Sequence, residues 1–378
     1  MATSIVYQRD RCVALQEDDV LTPLDDYLAH QIPETFDHVG TSDRNFFDRY
    51  YFNCHDLDGE VFLGFGMGVY PNLNVIDAFV SIVYDGKQHI VRGSRLLGRD
   101  RLDARVGPLA VEVLEGLRVL RLSCDPHDPG VGFDLRFTGT HFPHEEPRFF
   151  RRNSGRAVMD YLRMTQCGRW EGWLEVAGRR FRIAHDGWRG ARDHSWGIRN
   201  VGEPEPAGAG AAAPRPRQFF WEWSPQQYAD KSLLYSLNEY ADGRRWHQSA
   251  KLAYPYGDPR EPEQLEVQHH ETLVPGTRKL QSVTLEFRSG SGKELHVTAE
   301  PLSTLYMSGT GYGPPWRHGV YQGPLVVEGD VLDLRDDETL RKAFGLTETL
   351  CRFTMNGEVG YGVFEFLCLG PYQPLGVE

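Results

Sequence analysis

The chain has 378 residues, and its 53 acidic side chains outnumber its 41 lysines and arginines, giving a formal net charge of −12. This balance argues against general binding to nucleic acid or anionic membranes, because phosphate groups are bound by basic surfaces. Hydrophobic residues form 40% of the chain, which excludes a disordered protein. The length exceeds what a single hydrophobic core usually serves, so two domains are expected.

The segment Met1–Arg11 lacks a cationic start followed by an apolar stretch, and no run approaches the roughly 18 apolar residues of a membrane span. A cytoplasmic protein is therefore expected. The six cysteines contain no Cys-x-x-Cys pair. This pattern favours reduced, buried thiols over a zinc knuckle or a disulfide framework.

Taken in chain order, the sequence alternates between short β-strands and tight turns. Asp-Gly or Asn-Gly pairs, the usual residues of two-residue hairpins, begin at positions 58, 85, 186, 242 and 356. Around them lie segments rich in β-branched and aromatic residues, such as Val75–Tyr84 and Gly360–Leu369. Three short helices are predicted, at Asp25–His30, Ala157–Met164 and Asp336–Phe344. None alternates regularly with strands, so a doubly wound α/β sheet is disfavoured.

A tract rich in Pro, Ala and Gly at residues 202–217 divides the chain near its middle and is interpreted as a mobile loop or linker. The β-rich sequence on both sides predicts an all-β protein of two antiparallel, barrel-like domains, because closure removes exposed strand edges. The boundary is placed at residues 187/188, which gives domains of residues 1–187 and 188–378.

Common phosphate, metal and nucleophile motifs are disfavoured. The spacing of Gly64, Gly66 and Gly68 does not fit a dinucleotide-binding loop, so a strand whose glycines let another side chain or a ligand approach is favoured. Neighbouring His269 and His270 would point to opposite faces of a strand, and no His-x-His or His-x-x-x-His motif is present. No metal site is expected, and the Gly-x-Ser-x-Gly elbow of serine hydrolases is missing.

Aromatic residues cluster around the proposed divide. Seven of the eight tryptophans fall within the 77 residues from position 170 to position 246. On a strand, Phe219, Trp221 and Trp223 would share one face, and Phe220 and Glu222 the other. Two interpretations stay open: a large β-core, or an aromatic-lined cavity for a large apolar molecule.

Ionisable groups are dense within this cluster, at residues 192–199. Burial beside so many indoles would raise the pKa of Asp193 and keep its carboxyl protonated near neutrality. Asp193 is therefore the leading candidate for a general acid. The alternative is structural, with Arg192 and Arg199 simply pairing with nearby carboxylates.

The segment Asp193-His194-Ser195-Trp196-Gly197 resembles the Asp-His-x-Trp-Gly mark of a two-domain lipocalin-like superfamily. That superfamily includes the acyclic carotenoid 1,2-hydratases (hydroxyneurosporene synthases), the AttH-type proteins and the fungal decalin-forming Diels–Alderases. The chain length, the β-rich texture of both halves and the aromatic strand that follows agree with it. The resemblance implies two lipocalin-like β-barrels and cofactor-free chemistry on terpenoid, steroid or polyketide-like molecules.

The chain departs from the usual sequence of the hydratases at two places, and both bear on the identity of the substrate. Ser195 stands where the hydratases usually carry Asn, and Ala191-Arg192 stand where they tend to have Tyr and His. The fold and the use of a hydrophobic cavity are therefore expected to carry over, and carotenoid as the substrate is not.

The predicted function is protonation of an alkene by neutral Asp193, followed by addition of water or loss of a proton, in a hydratase or an isomerase. His194 would orient Asp193 or position the water. The substrate would be held by seven aromatic side chains: Trp188, Trp196, Phe219, Trp221, Trp223, Tyr235 and Trp246. No cofactor or metal is expected, and the partner is a hydrophobic small molecule rather than nucleic acid or a membrane.

Three other hypotheses stay open. A noncatalytic carrier of hydrophobic molecules would use the same barrel and aromatics. A pericyclase would fold a polyene into a reactive shape and polarise it by hydrogen bonds. A polysaccharide hydrolase would use Asp193 and Glu222 as acid and base, and is disfavoured.

Overall fold

A computed structural model describes residues 21–153, 155–204, 218–313, 315–343 and 345–378. In chain order the strands are β1 (Phe46–His55), β2 (Val61–Tyr70), β3 (Val75–Tyr84), β4 (Lys87–Leu96), β5 (Arg105–Val106), β6 (Leu109–Glu115), β7 (Val119–His127), β8 (Val131–Gly139), β9 (His144–Glu145), β10 (Phe149–Asn153), β11 (Arg156–Val176), β12 (Arg179–Ile183), β13 (Arg189–Arg199), β14 (Phe219–Gln227), β15 (Ser232–Glu239), β16 (Arg245–Ala253), β17 (Glu263–Leu273), β18 (Leu280–Ser289), β19 (Glu294–Tyr306), β20 (Leu325–Asp333), β21 (Thr347–Met355) and β22 (Glu358–Leu369). One α-helix, α1 (Asp337–Lys342), and the 3₁₀ turns Pro23–Asp26, Pro71–Leu73 and Gln373–Leu375 complete the assigned elements. No helix within the described ranges is long and apolar enough to cross a membrane.

The strands form two antiparallel sheets, which confirms the predicted all-β class of two barrel-like units. The first sheet has the order β20-β4-β3-β2-β1-β13-β11-β8-β7-β6-β5, with β9, β10 and β12 also pairing with β11. It curls until β5 contacts β3 and β4. The second sheet is a closed barrel of β14 to β19 followed by β21 and β22.

The boundary predicted at residues 187/188 does not coincide with the division between the sheets. Strand β13 lies beyond it but pairs with both β1 and β11 in the middle of the first sheet. Strand β20 leaves the barrel and adds to the edge of the first sheet beside β4. The first sheet therefore includes β13 and also takes in β20 from the C-terminal half, because backbone pairing between strands does not depend on their order in the sequence.

The predicted helix at Ala157–Met164 is wrong, because these residues lie in β11. That strand is held by pairing to β10 and β13, which outweighs a weak local helix preference. The helix predicted at Asp336–Phe344 is present as α1, capped by the Asp336 side chain, which accepts from Thr339 N at 2.9 Å. At Asp25–His30 there is only the 3₁₀ turn Pro23–Asp26.

The predicted loop at 202–217 is described only at its start. Gly202 N donates to His318 O at 2.6 Å, and residues 205–217 lie outside the described ranges. Of the cysteines, Cys54, Cys124, Cys167, Cys351 and Cys368 are free and buried, as predicted, and Cys12 lies outside the described ranges.

Three groups of buried side chains form the core. One fills the first sheet, one fills the barrel, and the third, the inter-domain core, joins them. The inter-domain core takes Phe47 and Tyr51 from the first sheet, and Trp221, Trp223 and Leu350 from the barrel. The two domains thus share a continuous apolar contact, and the candidate site lies within it.

Glycines on β2 leave room for large side chains on this shared surface. Gly66 pairs with Tyr51 on β1, and Gly68 with Arg49. A Cβ added to Gly66 would lie 2.4 Å from Arg49 Nη2 and 2.5 Å from the Phe79 ring. The approach of another side chain to these glycines, predicted from the sequence, is therefore confirmed.

We expect Gly66→Ala to destabilise the protein by about 1–3 kcal/mol, because Arg49 and Phe79 are packed and cannot both move away. Gly116→Ala is the matched control, since nothing lies within 4 Å of a Cβ added there. Urea denaturation of both variants measures the difference. Equal stability of the two variants would show that the β2 glycines are not required for packing.

Candidate active site between the two domains

Strand register sets the face of the first sheet that meets the barrel. Asp193 on β13 pairs with Tyr51 on β1 and with Thr165 on β11, and cross-strand partners point to the same face. From the barrel, the Trp223 ring lies 5.9 Å from the Tyr51 ring, and its Nε1 donates to Thr165 Oγ1 at 3.3 Å. Asp193 therefore points into the contact between the two domains.

Asp193 is largely enclosed by protein, and part of its surface stays accessible. Within the described ranges it makes no hydrogen bond and no ion pair. Burial raises the pKa of its carboxyl above the ordinary value. Arg163 and Arg49 lower that pKa and Glu146 raises it, and the effect of burial is the largest.

Two further carboxyl groups lie near Asp193 on the barrel side of the contact, where Glu348 on β21 pairs with Glu365 on β22. Burial raises the pKa of Glu365 to about 7, although Trp221 Nε1 donates to its Oε1 at 2.6 Å. Burial and the charge of Glu365 raise the pKa of Glu348 well above its ordinary value, and Glu348 accepts a hydrogen bond from Tyr51. The charge of Asp193 adds to the rise in the pKa of both groups.

Arg163 supplies a positive charge beside this set. Its Nε and Nη2 donate to Glu146 Oε1 and Oε2 at 2.9 and 2.7 Å, a two-point pair. The guanidinium carbon lies 4.7 Å from the centre of the Trp221 ring and 5.8 Å from that of Trp223. A cation of the protein already contacts these indoles, so the surroundings of Asp193 are more charged than the sequence predicted.

Glu146 also joins the two domains. Besides Arg163 it accepts from Thr165 Oγ1 and, across the contact, from Ser236 Oγ, both at 2.6 Å. Burial alone would raise the pKa of Glu146. Arg163 and His247 together lower it by more, so the pKa lies below its ordinary value and the carboxylate stays charged.

We expect Glu146→Gln to destabilise the protein by about 3 kcal/mol at pH 7, because Arg163 would stay buried without its counter-charge. Since the folded pKa is lowered, this stabilisation is complete above the ordinary pKa of 4.5 and is lost as the pH falls below it. Chemical denaturation at pH 7 and pH 3 measures it, with exposed Glu145→Gln as the control. A variant as stable as wild type at pH 7 would contradict the assignment.

The structure separates the two predicted catalytic residues. His194 follows Asp193 on β13 and points to the opposite face, where its Nε2 lies 2.6 Å from Asp48 Oδ1. Its ring also packs on Tyr50 and Trp196. In this arrangement His194 does not orient Asp193, because a strand places consecutive side chains on opposite faces.

The predicted substrate-binding aromatics fall into four places. Trp221 and Trp223 lie beside Asp193 in the inter-domain core, and Phe219 and Trp246 pack at its edge with ring centres 6.4 Å apart. Trp196 lies with His194 on the other face, and Trp188 belongs to the core of the first sheet. Tyr235 lies inside the barrel, where its hydroxyl donates to Glu222 Oε2 at 2.5 Å.

Glu222, the second carboxylate of the hydrolase hypothesis, therefore lies in the barrel interior and not beside Asp193. An open cleft of about 740 Å³ is lined in part by Glu146. Polar side chains, including His144, Gln264 and Arg288, line it instead of indoles.

Sequence reasoning missed the other members of this site, Tyr51, Glu146, Arg163, Glu348 and Glu365. A signal was present for Glu365, a single charge between the apolar pairs Val363-Phe364 and Phe366-Leu367. Glu348 lies between two threonines, so its sequence context resembles an exposed strand.

Comparison with solved structures shows that this fold is shared with an AttH protein and with CghA, and AttH-type proteins are among those that the Asp-His-x-Trp-Gly segment resembles. An AttH protein from Nitrosomonas europaea has a TM-score of 0.54 at 14% identity, over 93% of this chain and 98% of that one. CghA has a TM-score of 0.50 at 11% identity, over 86% and 89%. Kievitone hydratase from Nectria haematococca reaches a TM-score of only 0.41 at 12% identity, over 85% and 88%, which is too dissimilar to support an argument.

Sequence comparison gives a narrower assignment. No curated protein matches the chain. A sequence profile described as a family of unknown function, DUF8625, matches residues 21–378, and the chain belongs to this family.

Proposed function

We propose that this protein is a cofactor-free hydratase or isomerase that protonates an alkene of a hydrophobic terpenoid, steroid or polyketide-like substrate, with Asp193 as the acid. The observation that carries the proposal is the carboxyl of Asp193, which is enclosed by protein, has no ion-pair partner within the described ranges and has a raised pKa. A carboxyl group in such surroundings is suited to donate a proton near neutrality.

The reaction begins when neutral Asp193 transfers its proton to one alkene carbon, which leaves a cation on the neighbouring carbon and a carboxylate on Asp193. In hydration, water adds to the cation and its surplus proton returns to Asp193. In isomerisation, a proton leaves the adjacent carbon to the same carboxylate. Either route regenerates the acid and consumes nothing from a cofactor.

The residues around Asp193 bear on the charges that form during this reaction, the substrate cation and the Asp193 carboxylate. The indoles of Trp221 and Trp223 supply apolar surface, and the ionised Glu146 contributes negative charge while the substrate is cationic. Arg163 would oppose a nearby cation, but its pairing with Glu146 reduces that repulsion. The proposal retains the cytoplasmic location and the small-molecule partner expected from the sequence.

The test begins with the substrate. The purified protein is incubated with a hydrophobic extract of its host, and mass spectrometry identifies the compounds that are retained or altered. Repeating the reaction in D₂O shows whether a proton from solvent enters a carbon–hydrogen bond. The proposal predicts one deuterium on a product carbon in wild type and none above background with Asp193→Asn.

Other outcomes identify the other functions. Retention of a compound without any product indicates a carrier. A cyclised product that contains no solvent deuterium, formed equally by Asp193→Asn, indicates a pericyclase. Either result would overturn the acid mechanism and leave only the fold assignment.

A further inference from the structure

A second cluster of charged side chains lies inside the barrel, apart from Asp193. Glu222 on β14 projects inward and is fully buried. His269 and Glu271, alternate residues of β17, share its inward face. One ligand atom from each of the three lies within 4.8 Å of the others. Three strand positions thus converge on one point of the barrel interior.

A carboxylate fixes the ring orientation of His269, as is common for histidines that bind metals. His269 Nε2 lies 3.0 Å from Glu239 Oε1, and Glu239 in turn accepts from Tyr372 at 2.5 Å and from Arg245 at 3.2 Å. This leaves Nδ1 directed at Glu271 Oε1, 2.9 Å away, and at Glu222 Oε2, 4.0 Å away. Metal-binding histidines commonly use a carboxylate on one nitrogen to fix the other.

The two carboxyl oxygens of Glu222 differ in their contacts. Oε2 accepts the hydrogen bond of Tyr235, but Oε1 is buried and has no hydrogen-bond partner within the described ranges. A buried carboxylate oxygen left without a partner costs free energy. Oε1 is therefore open to a further ligand such as a metal ion.

We propose that Glu222, His269 and Glu271 bind a divalent transition-metal ion through Glu222 Oε1, His269 Nδ1 and a Glu271 oxygen. One imidazole and two carboxylates suit Zn²⁺ and its first-row neighbours, whereas Mg²⁺ and Ca²⁺ take oxygen ligands. Ligands about 2.0–2.2 Å from one ion lie within about 4.4 Å of each other, so ligand atoms that are already within 4.8 Å need only small side-chain rotations. The site is independent of the proposed reaction at Asp193.

The test is a calorimetric titration of Zn²⁺ into the full chain after dialysis against a chelator, with Mg²⁺ as the comparison ion. We expect one Zn²⁺ per chain, and at least a 100-fold weaker affinity in Glu222→Gln and in His269→Gln. His270→Ala is the matched control, because His270 is the exposed neighbour of His269 on the other face of β17. Zn²⁺ should raise the melting temperature of wild type and of His270→Ala, and not of the two ligand variants.

A second measurement needs no variant, in case Glu222→Gln fails to fold. Co²⁺ added to the wild-type chain should give the visible absorption of a four- or five-coordinate ion, which Zn²⁺ then abolishes. The proposal is overturned if Zn²⁺ does not bind, if Co²⁺ keeps the spectrum of its hydrated ion, or if binding survives both ligand substitutions and is lost in His270→Ala.

Discussion

Asp193→Asn is expected to lower turnover by about 10²- to 10⁴-fold, the usual contribution of a general acid. The amide keeps the shape of the protonated carboxyl but has no proton to transfer. Because Asp193 makes no ion pair within the described ranges, the substitution breaks no such contact, and substrate affinity and melting temperature should stay near those of wild type.

Steady-state kinetics on the substrate found by extract screening measure this effect. Asp160→Asn is the control, since Asp160 lies on the neighbouring strand β11 and pairs with Arg148 away from the inter-domain core. Turnover of Asp193→Asn within a factor of about three of wild type would exclude Asp193 as the acid.

Glu365→Gln is expected to stabilise the protein at alkaline pH. The folded pKa of Glu365 is about 7, above its ordinary value of 4.5, so the folded state holds this proton more tightly than the unfolded state. Stability therefore falls as the pH rises from 4.5 through 7, by up to about 3 kcal/mol for a shift of this size. Gln cannot ionise, and its oxygen can still accept from Trp221 Nε1.

Urea denaturation between pH 4.5 and 8.5 measures this difference. At pH 4.5 the variant should match wild type, and at pH 8.5 it should be more stable by about 2–3 kcal/mol. Glu358→Gln is the control on the same strand, because Glu358 is exposed. A variant less stable than wild type at pH 8.5 would mean that Glu365 is ionised in the folded protein and stabilised by its neighbours.

The sequence predicted the fold class correctly and singled out Asp193, whose catalytic role stays a prediction, because both depend on local information. Hairpin turns and alternating strands are encoded in short segments, and the Asp-His-x-Trp-Gly segment marks Asp193 directly. Asp193 and His194 are consecutive residues of one strand and so point to opposite faces, which does not fit the predicted role of His194 in orienting Asp193.

The features of the fold and of the candidate site that the sequence did not predict depend on pairing between distant segments. The insertion of β20 beside β4 joins residues more than 200 positions apart, and no local pattern specifies it. Glu348 and Glu365 reach Asp193 only because the barrel packs on the first sheet, and Arg163 contacts Trp221 across that same boundary. For the same reason, no spacing motif marked the convergence of Glu222 with His269 and Glu271.

The central claim, that Asp193 holds a proton near neutrality, is tested most directly by infrared difference spectroscopy of wild type against Asp193→Asn across a pH titration. The account predicts that the spectrum at pH 7 contains the carbonyl band of a protonated carboxylic acid belonging to Asp193. Its conversion to carboxylate should occur above the ordinary aspartate pKa of 3.8, because burial raises the pKa of Asp193. A carboxylate band for Asp193 throughout the range from pH 5 to pH 8 would contradict the proposed acid mechanism.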